Sequence, residues 1–346
     1  GREYADIFPV WDWRKIPGTT VVLAPDFAGD PKRLGTTDFV GGVSDGVYGL
    51  FVCDLVREAS PLDQVQPPRK DDPPPEADAP SPDTLRARKA WFFFDDEVVC
   101  LGAGISVSGE GRDPAVTTLN QCLLNGPIAA ADGSGGCDEL ASGNHVLQDA
   151  AWVHHDGIAY VFYDPQTVHI DAAPRTGSWD LIATQASDAP VTKDVFTVWV
   201  DHGPHPRAET YAYVAVPGVE SGDVQAYADS LPVQVLANTP QVQAVQHLEN
   251  SLTLAAFYEP GVLALPDGLT IGVDTACLVL LHTDDSGCTL TFSNPRNEPV
   301  TIGVEINGSF GGPSVETTET GSRVTVSLPN GWDAGKSVTV ALLAAG

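Results

Sequence analysis

At 346 residues with a hydrophobic content of 42%, the chain can bury a substantial core and make two or three domains, which excludes a disordered protein. Its 46 acidic residues against 18 basic ones give a formal net charge of -28. Such a surplus repels nucleic-acid phosphates and anionic lipid alike, so neither a nucleic-acid nor a membrane partner is expected, and no run of 18 apolar residues is present to make a spanning helix.

The chain opens with REYADIFPVWDWRKIPGTTVV, which Pro9, Pro17 and Gly18 break into short extended pieces. On a strand, Trp11 and Trp13 fall on one side and Asp12 and Arg14 on the other. That alternation can make a carbohydrate platform, because sugar C–H faces stack on indole while carboxylate and guanidinium bond hydroxyls. It equally suits a strand whose tryptophans fill a core. Glycines 41, 42, 46 and 49 punctuate the next strand, which ends in VYGLFVCDLV. Residues 59–84 are rich in proline and acid, lack any hydrophobic period, and read as an inserted loop.

Ala90 to Ile105, AWFFFDDEVVCLGAGI, predicts a core hairpin with an aromatic run before a solvated acidic corner at Asp95, Asp96 and Glu97. Residues 126–144 read as a Gly-rich loop. From Val146 onward strands follow quickly, in AAWVHHDGIAYVFY, VHIDAA, SWDLIAT, VFTVWVDHG, ETYAYVAVPG and VQVLANTPQVQAVQHL, with one short helix at 221–231. Segment 259–269 reads as a linker, and five short alternating strands come after it. The expected fold class is all-β: a large multi-sheet antiparallel β-sandwich over 1–258, then a smaller C-terminal β-sandwich over 270–346.

The cysteines are Cys53, Cys100, Cys122, Cys137, Cys277 and Cys288, with no CxxC pair to suggest zinc or redox chemistry. Cys122 with Cys137 and Cys277 with Cys288 flank Gly-rich turns, as a loop-crossing disulfide would, and Cys53 and Cys100 lie on apolar strands that could be bridged. Disulfides imply an exported, oxidising compartment and a secreted protein; the alternative is free thiols packing as small hydrophobes. Methionine is absent even at position 1, which marks the chain as a processed product or a piece of something longer. Asn307-Gly308-Ser309 is an isolated glycosylation sequon.

Two histidine groups could each offer two metal ligands: His154-His155-Asp156 and His202-Gly203-Pro204-His205. Adjacent strand residues face opposite ways, however, so His154 and His155 do not share an ion easily. No cofactor is expected, and a structural calcium or zinc ion is the only opening left. Asp201-His202 at the end of VFTVWV, with His205 and Arg207 following, makes a strand end suited to recognising an acidic sugar. No GxSxG elbow, Walker loop or dinucleotide fingerprint is present.

Several of these segments together resemble one family. YADIFPVWDWRKIPGTT, ARKAWFFFDDEVVCLGAGI, TTLNQ at 117–121, WVHHDGIAYVF, GSW at 177–179, DHGPHPRAETYAYVAVPG and NTPQVQAV at 238–245 are similar, in order, to the β-sheet half of the family 8 polysaccharide lyases. These include the hyaluronate, chondroitin and xanthan lyases, whose small C-terminal sandwich the remaining residues resemble. The resemblance implies β-elimination on uronic-acid polysaccharides, with the chemistry in an N-terminal α/α toroid. There an Asn neutralises the uronate carboxylate while Tyr and His, near an Arg, handle the proton and the leaving oxygen. A glutamate from the start of the sheet region supports them. This chain begins after the toroid and after that glutamate, so no catalytic residue is assigned to it.

What the resemblance implies for this chain is a wall of the substrate cleft, with Trp11, Trp13, Arg14, His202, His205 and Arg207 as candidate substrate contacts. The implied partners are an acidic polysaccharide and the helical toroid, in the same or a separate chain. A stand-alone carbohydrate-binding or structural β-sandwich is the alternative.

Overall fold

A computed structural model describes residues 2–4, 6–23, 36–58, 83–133, 136–183, 185–313 and 315–344; all but the last two residues of the expected 59–84 insertion lie outside them. The chain divides into two compact units. The first holds Gly1–Leu34, Val56–Arg86 and Ile105–Asp229, the second Gly35–Leu55, Ala87–Gly104 and Ser230–Gly346.

The first unit is built on a twenty-residue strand, Ile158–Gly177. One edge pairs antiparallel with Gly143–His155. The other edge changes partner along its length, from Glu209–Pro217 opposite Ile158–Phe162 to Val191–Pro204 opposite Val168–Gly177. The change brackets Pro165, which has no N–H to give the ladder, and the register with Gly143–His155 shifts between Val161 and Gln166. Val191–Pro204 pairs in turn with Pro114–Leu123, and that strand with Thr20–Val22. Val195, Phe196, Thr197 and Val198 are all fully buried, so this stretch is covered on both faces.

Residues 126–144, expected as a loop, instead form Ile128–Asp132 and Cys137–Leu140, which pair with each other. Ile128–Asp132 also pairs with Gly143–His155. The glycines that suggested a loop serve the turns at the ends, where Gly126 and Gly143 take φ of 79° and 135°. The short helix is Val224–Asp229, entered through a 3-10 turn at Ser221–Asp223.

Val40–Ser44, in the second unit, pairs with Gly49–Glu58, and the order continues through Thr84–Phe93 to Val98–Ser108, three strands of which residues 49–55, 87–93 and 98–104 belong to that unit. The last two strands form the expected hairpin, closed by the Phe94 N–H donating to the Glu97 carbonyl at 3.1 Å. A seven-stranded sheet follows the order Val233–Asn238, Val242–His247, Leu252–Phe257, Cys277–Asp284, Gly287–Ser293, Val338–Ala344, Phe310–Gly311. A five-stranded sheet follows the order Gly261–Ala264, Thr270–Val273, Thr301–Ile306, Ser322–Ser327, Val315–Thr317. Their inward residues, Phe257, Leu281, Leu290 and Phe292 from one and Ile271, Val304 and Val326 from the other, make one core. Segment 259–269, read as a linker, thus carries an edge strand with Leu263 and Leu265 in that core. The Asn307 side chain of the sequon accepts from the Thr270 N–H at 2.8 Å and donates to the Gly268 carbonyl at 2.9 Å, which closes a turn.

None of the six cysteines, expected as disulfide partners, is in a disulfide. Cys277 begins its strand whereas Cys288 pairs with Thr283, so six residues, about 20 Å, separate them along the ladder. Thr84–Phe93 lies between the strands of Cys53 and Cys100, a gap of about 9.5 Å. Cys122 has its thiol 3.7 Å from His155 Nδ1, and Cys137 pairs with Ala131 on the far side of the ribbon. The acidic corner also differs from its expected form. Asp95 and Asp96 are exposed, but Glu97 is buried and lies 3.0 Å from His247 Nε2. His247 Nδ1 accepts the Asn250 N–H at 3.3 Å, which puts the ring proton on Nε2, facing the carboxylate.

Removing one partner of a buried pair strands the other. Glu97→Ala is expected to lower unfolding free energy by about 3 kcal/mol, and Glu97→Gln by less, because the amide oxygen can still accept. Urea titration of the variants checks this; equal stability of Glu97→Ala and wild type would refute it.

Candidate functional site

The N-terminal segment is held by packing before it presents any chemistry. Ile7 and Val10 bury against Val195, with Trp11, Leu123 and Val191 around them. Pro9 sits in the first turn of a 3-10 turn, Phe8–Val10. Gly177, at the end of the long strand, meets this turn so closely that a Cβ there would come within 1.7 Å of the Pro9 carbonyl oxygen. Gln121, fully buried, then clamps the chain. Its Oε1 accepts the Asp12 N–H at 2.8 Å, and its Nε2 donates to the carbonyls of Asp12 at 3.1 Å and Lys15 at 2.7 Å.

Residues 11–19 are consequently turns rather than the expected strand, and the aromatic residues gather instead of alternating. Trp11 contacts Trp13 and Phe8 with ring centroids 5.3 Å away in each case, and Phe8 lies 5.8 Å from Trp13. Tyr4 stands edge-on to Trp11 at 6.4 Å. Tyr4, Phe8 and Trp13 are 39%, 41% and 40% exposed, so the cluster forms a shelf open to solvent.

Beside it, a nearly buried Asp12 collects cations. Arg14 grips it with both Nε, at 2.9 Å, and Nη2, at 3.1 Å. Lys15 Nζ lies at 3.8 Å and Arg175 Nη1 at 4.0 Å. Arg175 also bonds Asp171 at 2.5 Å. Burial alone would raise the Asp12 carboxyl, but the Arg14 hydrogen bonds and the charges of Arg14 and Lys15 hold it below the usual range. Burial depresses the Lys15 ammonium, with Asp12 opposing. Lys15 Nζ sits 3.7 Å from the centre of the Trp199 ring, Trp199 stacks on His169 at 5.3 Å, and His169 Nε2 lies 3.5 Å from Asp201.

The other candidate residues lie elsewhere. His202 Nε2 is 2.8 Å from Thr117 Oγ1, which is 2.9 Å from Thr20 Oγ1. Thr117 pairs with Val200, the neighbour of Trp199 along the strand, and consecutive strand residues face opposite sides. His202 therefore serves the face opposite to Lys15 and Trp199. Beyond it Gly203, His205 and Ala208 take φ of 72°, 52° and 59°, and the turn is held by the Asp201 carboxylate accepting the Gly203 N–H at 2.7 Å and by Ser106 Oγ accepting the Ala208 N–H at 2.9 Å. Left-handed conformations at His205 and Ala208 store strain. Arg207 projects from this turn and is exposed.

The histidine pair at 154 and 155 separates as strand geometry requires. His154 Nε2 is 2.9 Å from the Val219 carbonyl. His155 Nε2 accepts the Asn125 N–H at 3.1 Å, so its proton is on Nδ1, toward Cys122. Burial pushes His155 down to about 4 and Cys122 up to about 12. The two are a neutral pair, not an activated thiolate with its base. Among the described residues no group of three or more His, Cys, Asp or Glu could hold a metal ion.

Fold and site together define an antiparallel multi-sheet β-sandwich protein with an aromatic and cationic face. The chain matches the profile of polysaccharide lyase family 8, super-sandwich domain, over residues 1–228 and that of the same family's C-terminal beta-sandwich domain over 234–302. It belongs to polysaccharide lyase family 8. It is 34% identical to a chondroitinase-AC of Pedobacter heparinus over 98% of this chain and 43% of that protein. A hyaluronate lyase of Thermasporomyces composti is 31% identical over 94% of this chain and 40% of its own length, and a xanthan lyase of a Bacillus species 33% identical over 73% and 26%. The chain thus spans less than half the length of these relatives. A solved chondroitinase AC lyase superposes with a TM-score of 0.79 at 32% identity, over 98% of this chain and 45% of that one. A chondroitin AC lyase of Streptomyces coelicolor does so at 0.71 and 25%, over 100% and 42%.

Gly177→Ala is expected to displace Pro9 and the aromatic shelf while leaving the rest of the sheet intact, seen as changed tryptophan fluorescence and a loss of about 2 kcal/mol. Unaltered fluorescence would argue against the close contact. His155 supplies a pH dependence. Its folded pKa is near 4 against 6.5 for the free group, so the unfolded chain takes up a proton first. Full stability holds above pH 6.5 and falls by roughly 3 kcal/mol as pH drops toward 4. A His155→Gln variant should lose that part of the slope in denaturant titrations at pH 7 and pH 4.5.

Proposed function

We propose that this chain is the non-catalytic β-sheet half of a secreted polysaccharide lyase that cleaves uronic-acid polysaccharides by β-elimination. In this reading the chain walls the substrate cleft and supports a helical catalytic domain. The observation that carries it is membership of polysaccharide lyase family 8 along two matched domains, joined to an exposed aromatic shelf beside a cationic cluster in a chain of net charge -28. The relatives' names give the substrate class: chondroitin, hyaluronate and xanthan. Secretion would suit the size of such polymers, which have to be cut outside the cell; the cysteines, none of them in a disulfide, lend it no support. No catalytic residue is assigned to the chain. In this reading the helical half, which the relatives' greater length leaves room for, supplies the Asn that neutralises the uronate carboxylate and the Tyr and His, near an Arg, that handle the proton and the leaving oxygen.

The open shelf also favours a second reading, a sandwich module that holds an acidic glycan without cleaving it. Joining the chain to its helical half and following ultraviolet absorbance from unsaturated uronate on hyaluronan, chondroitin and xanthan separates the two. Absorbance that grows only with the joined protein is the expected result. If the joined protein retains glycan but yields no unsaturated product, the lyase reading falls and the binding module stands.

A further inference from the structure

We propose that Arg14, backed by Asp12, Lys15 and Arg175 and flanked by the Tyr4–Phe8–Trp13 shelf, is a subsite for the anionic group of an acidic sugar. This rests on the reading above, and it narrows that reading to one of the two faces.

The six candidate contacts cannot act as one site, since Trp11, Trp13 and Arg14 gather with the Lys15 and Trp199 face whereas His202 serves the other. Three observations favour the first face. The cluster holds three cations, Arg14, Lys15 and Arg175, against two carboxylates, Asp12 and Asp171, a local surplus of one positive charge in a strongly acidic chain. That local sign reversal attracts an anion where most of the surface repels it.

Guanidinium stereochemistry gives the second observation. A guanidinium has two edges that can take an oxyanion in bidentate fashion, and Asp12 occupies the Nε and Nη2 edge of Arg14. The Nη1 and Nη2 edge is turned away from Asp12, and the side chain is 36% exposed. Asp12 is thus a positioning residue: it orients the outer fork. Third, Trp13 and Phe8 are about two-fifths exposed and sit on the same short N-terminal segment as Arg14, so a pyranose stacking on the shelf by its C–H face could present its carboxylate or sulfate to Arg14.

The test is calorimetric titration of the 346-residue chain with three hexasaccharides: hyaluronan, chondroitin sulfate and carboxyl-reduced hyaluronan. Arg14→Gln should weaken binding of the anionic hexasaccharides by about tenfold or more. Arg14→Lys, which keeps charge without the fork, should fall between the two, and Trp13→Ala should weaken all three ligands. Arg323→Gln, the same charge change at an exposed residue of the other unit, controls for net charge. Equal denaturation midpoints establish that the variants fold.

Hyaluronan binding lost on carboxyl reduction identifies the carboxylate as the recognised group, and binding confined to chondroitin sulfate identifies the sulfate. Wild-type affinity in Arg14→Gln, or no binding of any anionic hexasaccharide by the wild-type chain, overturns the subsite. The two proposals fail separately. Uronate cleavage by the joined protein with unchanged Arg14→Gln affinity sinks only the subsite, while Arg14-dependent binding without cleavage sinks only the lyase reading.

Discussion

The candidate face depends on one constraint, the period of two along the strand Ile158–Gly177. His169, Asp171, Arg175 and Gly177 stand on one side of that strand because their numbers differ by even steps. Each does something different for the same surface. His169 stacks on Trp199, Asp171 orients Arg175, Arg175 reaches Asp12, and Gly177 gives way to Pro9. A slip of one residue would put all four on the opposite side, and the ten paired positions with Val191–Pro204 prevent it.

Upon that ladder the N-terminal segment is fitted by complementary use of polar and apolar contacts. Ile7 and Val10 supply burial, but burial alone does not choose among nearby backbone paths. Gln121 makes that choice, because its amide is satisfied by main-chain groups of Asp12 and Lys15 that come together only in this conformation. The cationic cluster is a consequence: with its main chain clamped, Asp12 is placed where Arg14, Lys15 and Arg175 converge.

Much of the architecture could be read from the residues themselves. Alternating β-branched and aromatic runs gave the all-β class and the hairpin at Ala90 to Ile105, and the helix expected at 221–231 occupies Val224–Asp229 within that stretch, since these depend on local pattern. What could not be read depends on contacts between residues distant in sequence. Trp11 and Trp13 looked like alternate residues of a strand, and nothing local reveals that Gln121, 109 positions from Asp12, would bend that segment into turns. Arg175 was missed as a partner of Asp12, and Trp199 as a partner of Lys15, for the same reason, although Arg175 four residues from Asp171 is a local signal of an ion pair. Glu97 looked like the third acid of a solvated corner, and His247, 150 residues away, makes it a buried partner. The cysteine pairs misled because closeness in sequence was taken for closeness in space, which antiparallel register contradicts for Cys277 and Cys288.

In the proposed subsite, the arrangement around Asp12 would let an acidic protein recognise an acidic ligand without a large positive field. An Arg side chain free in solution loses rotamer entropy when it binds, and that loss subtracts from affinity. Arg14 has already lost it, being held through two hydrogen bonds to a carboxylate whose ionised form those bonds and the charges of Arg14 and Lys15 favour against the opposing effect of burial. Asp12 reduces the positive charge that a ligand would meet, yet it fixes the direction in which the remaining fork points. Direction matters more here than field strength, because screening at physiological salt confines surface electrostatics to about 8 Å, whereas a bidentate contact selects planar oxyanions at hydrogen-bond range. A surface built this way keeps its overall negative charge and, in the proposed subsite, would select by geometry at a single point.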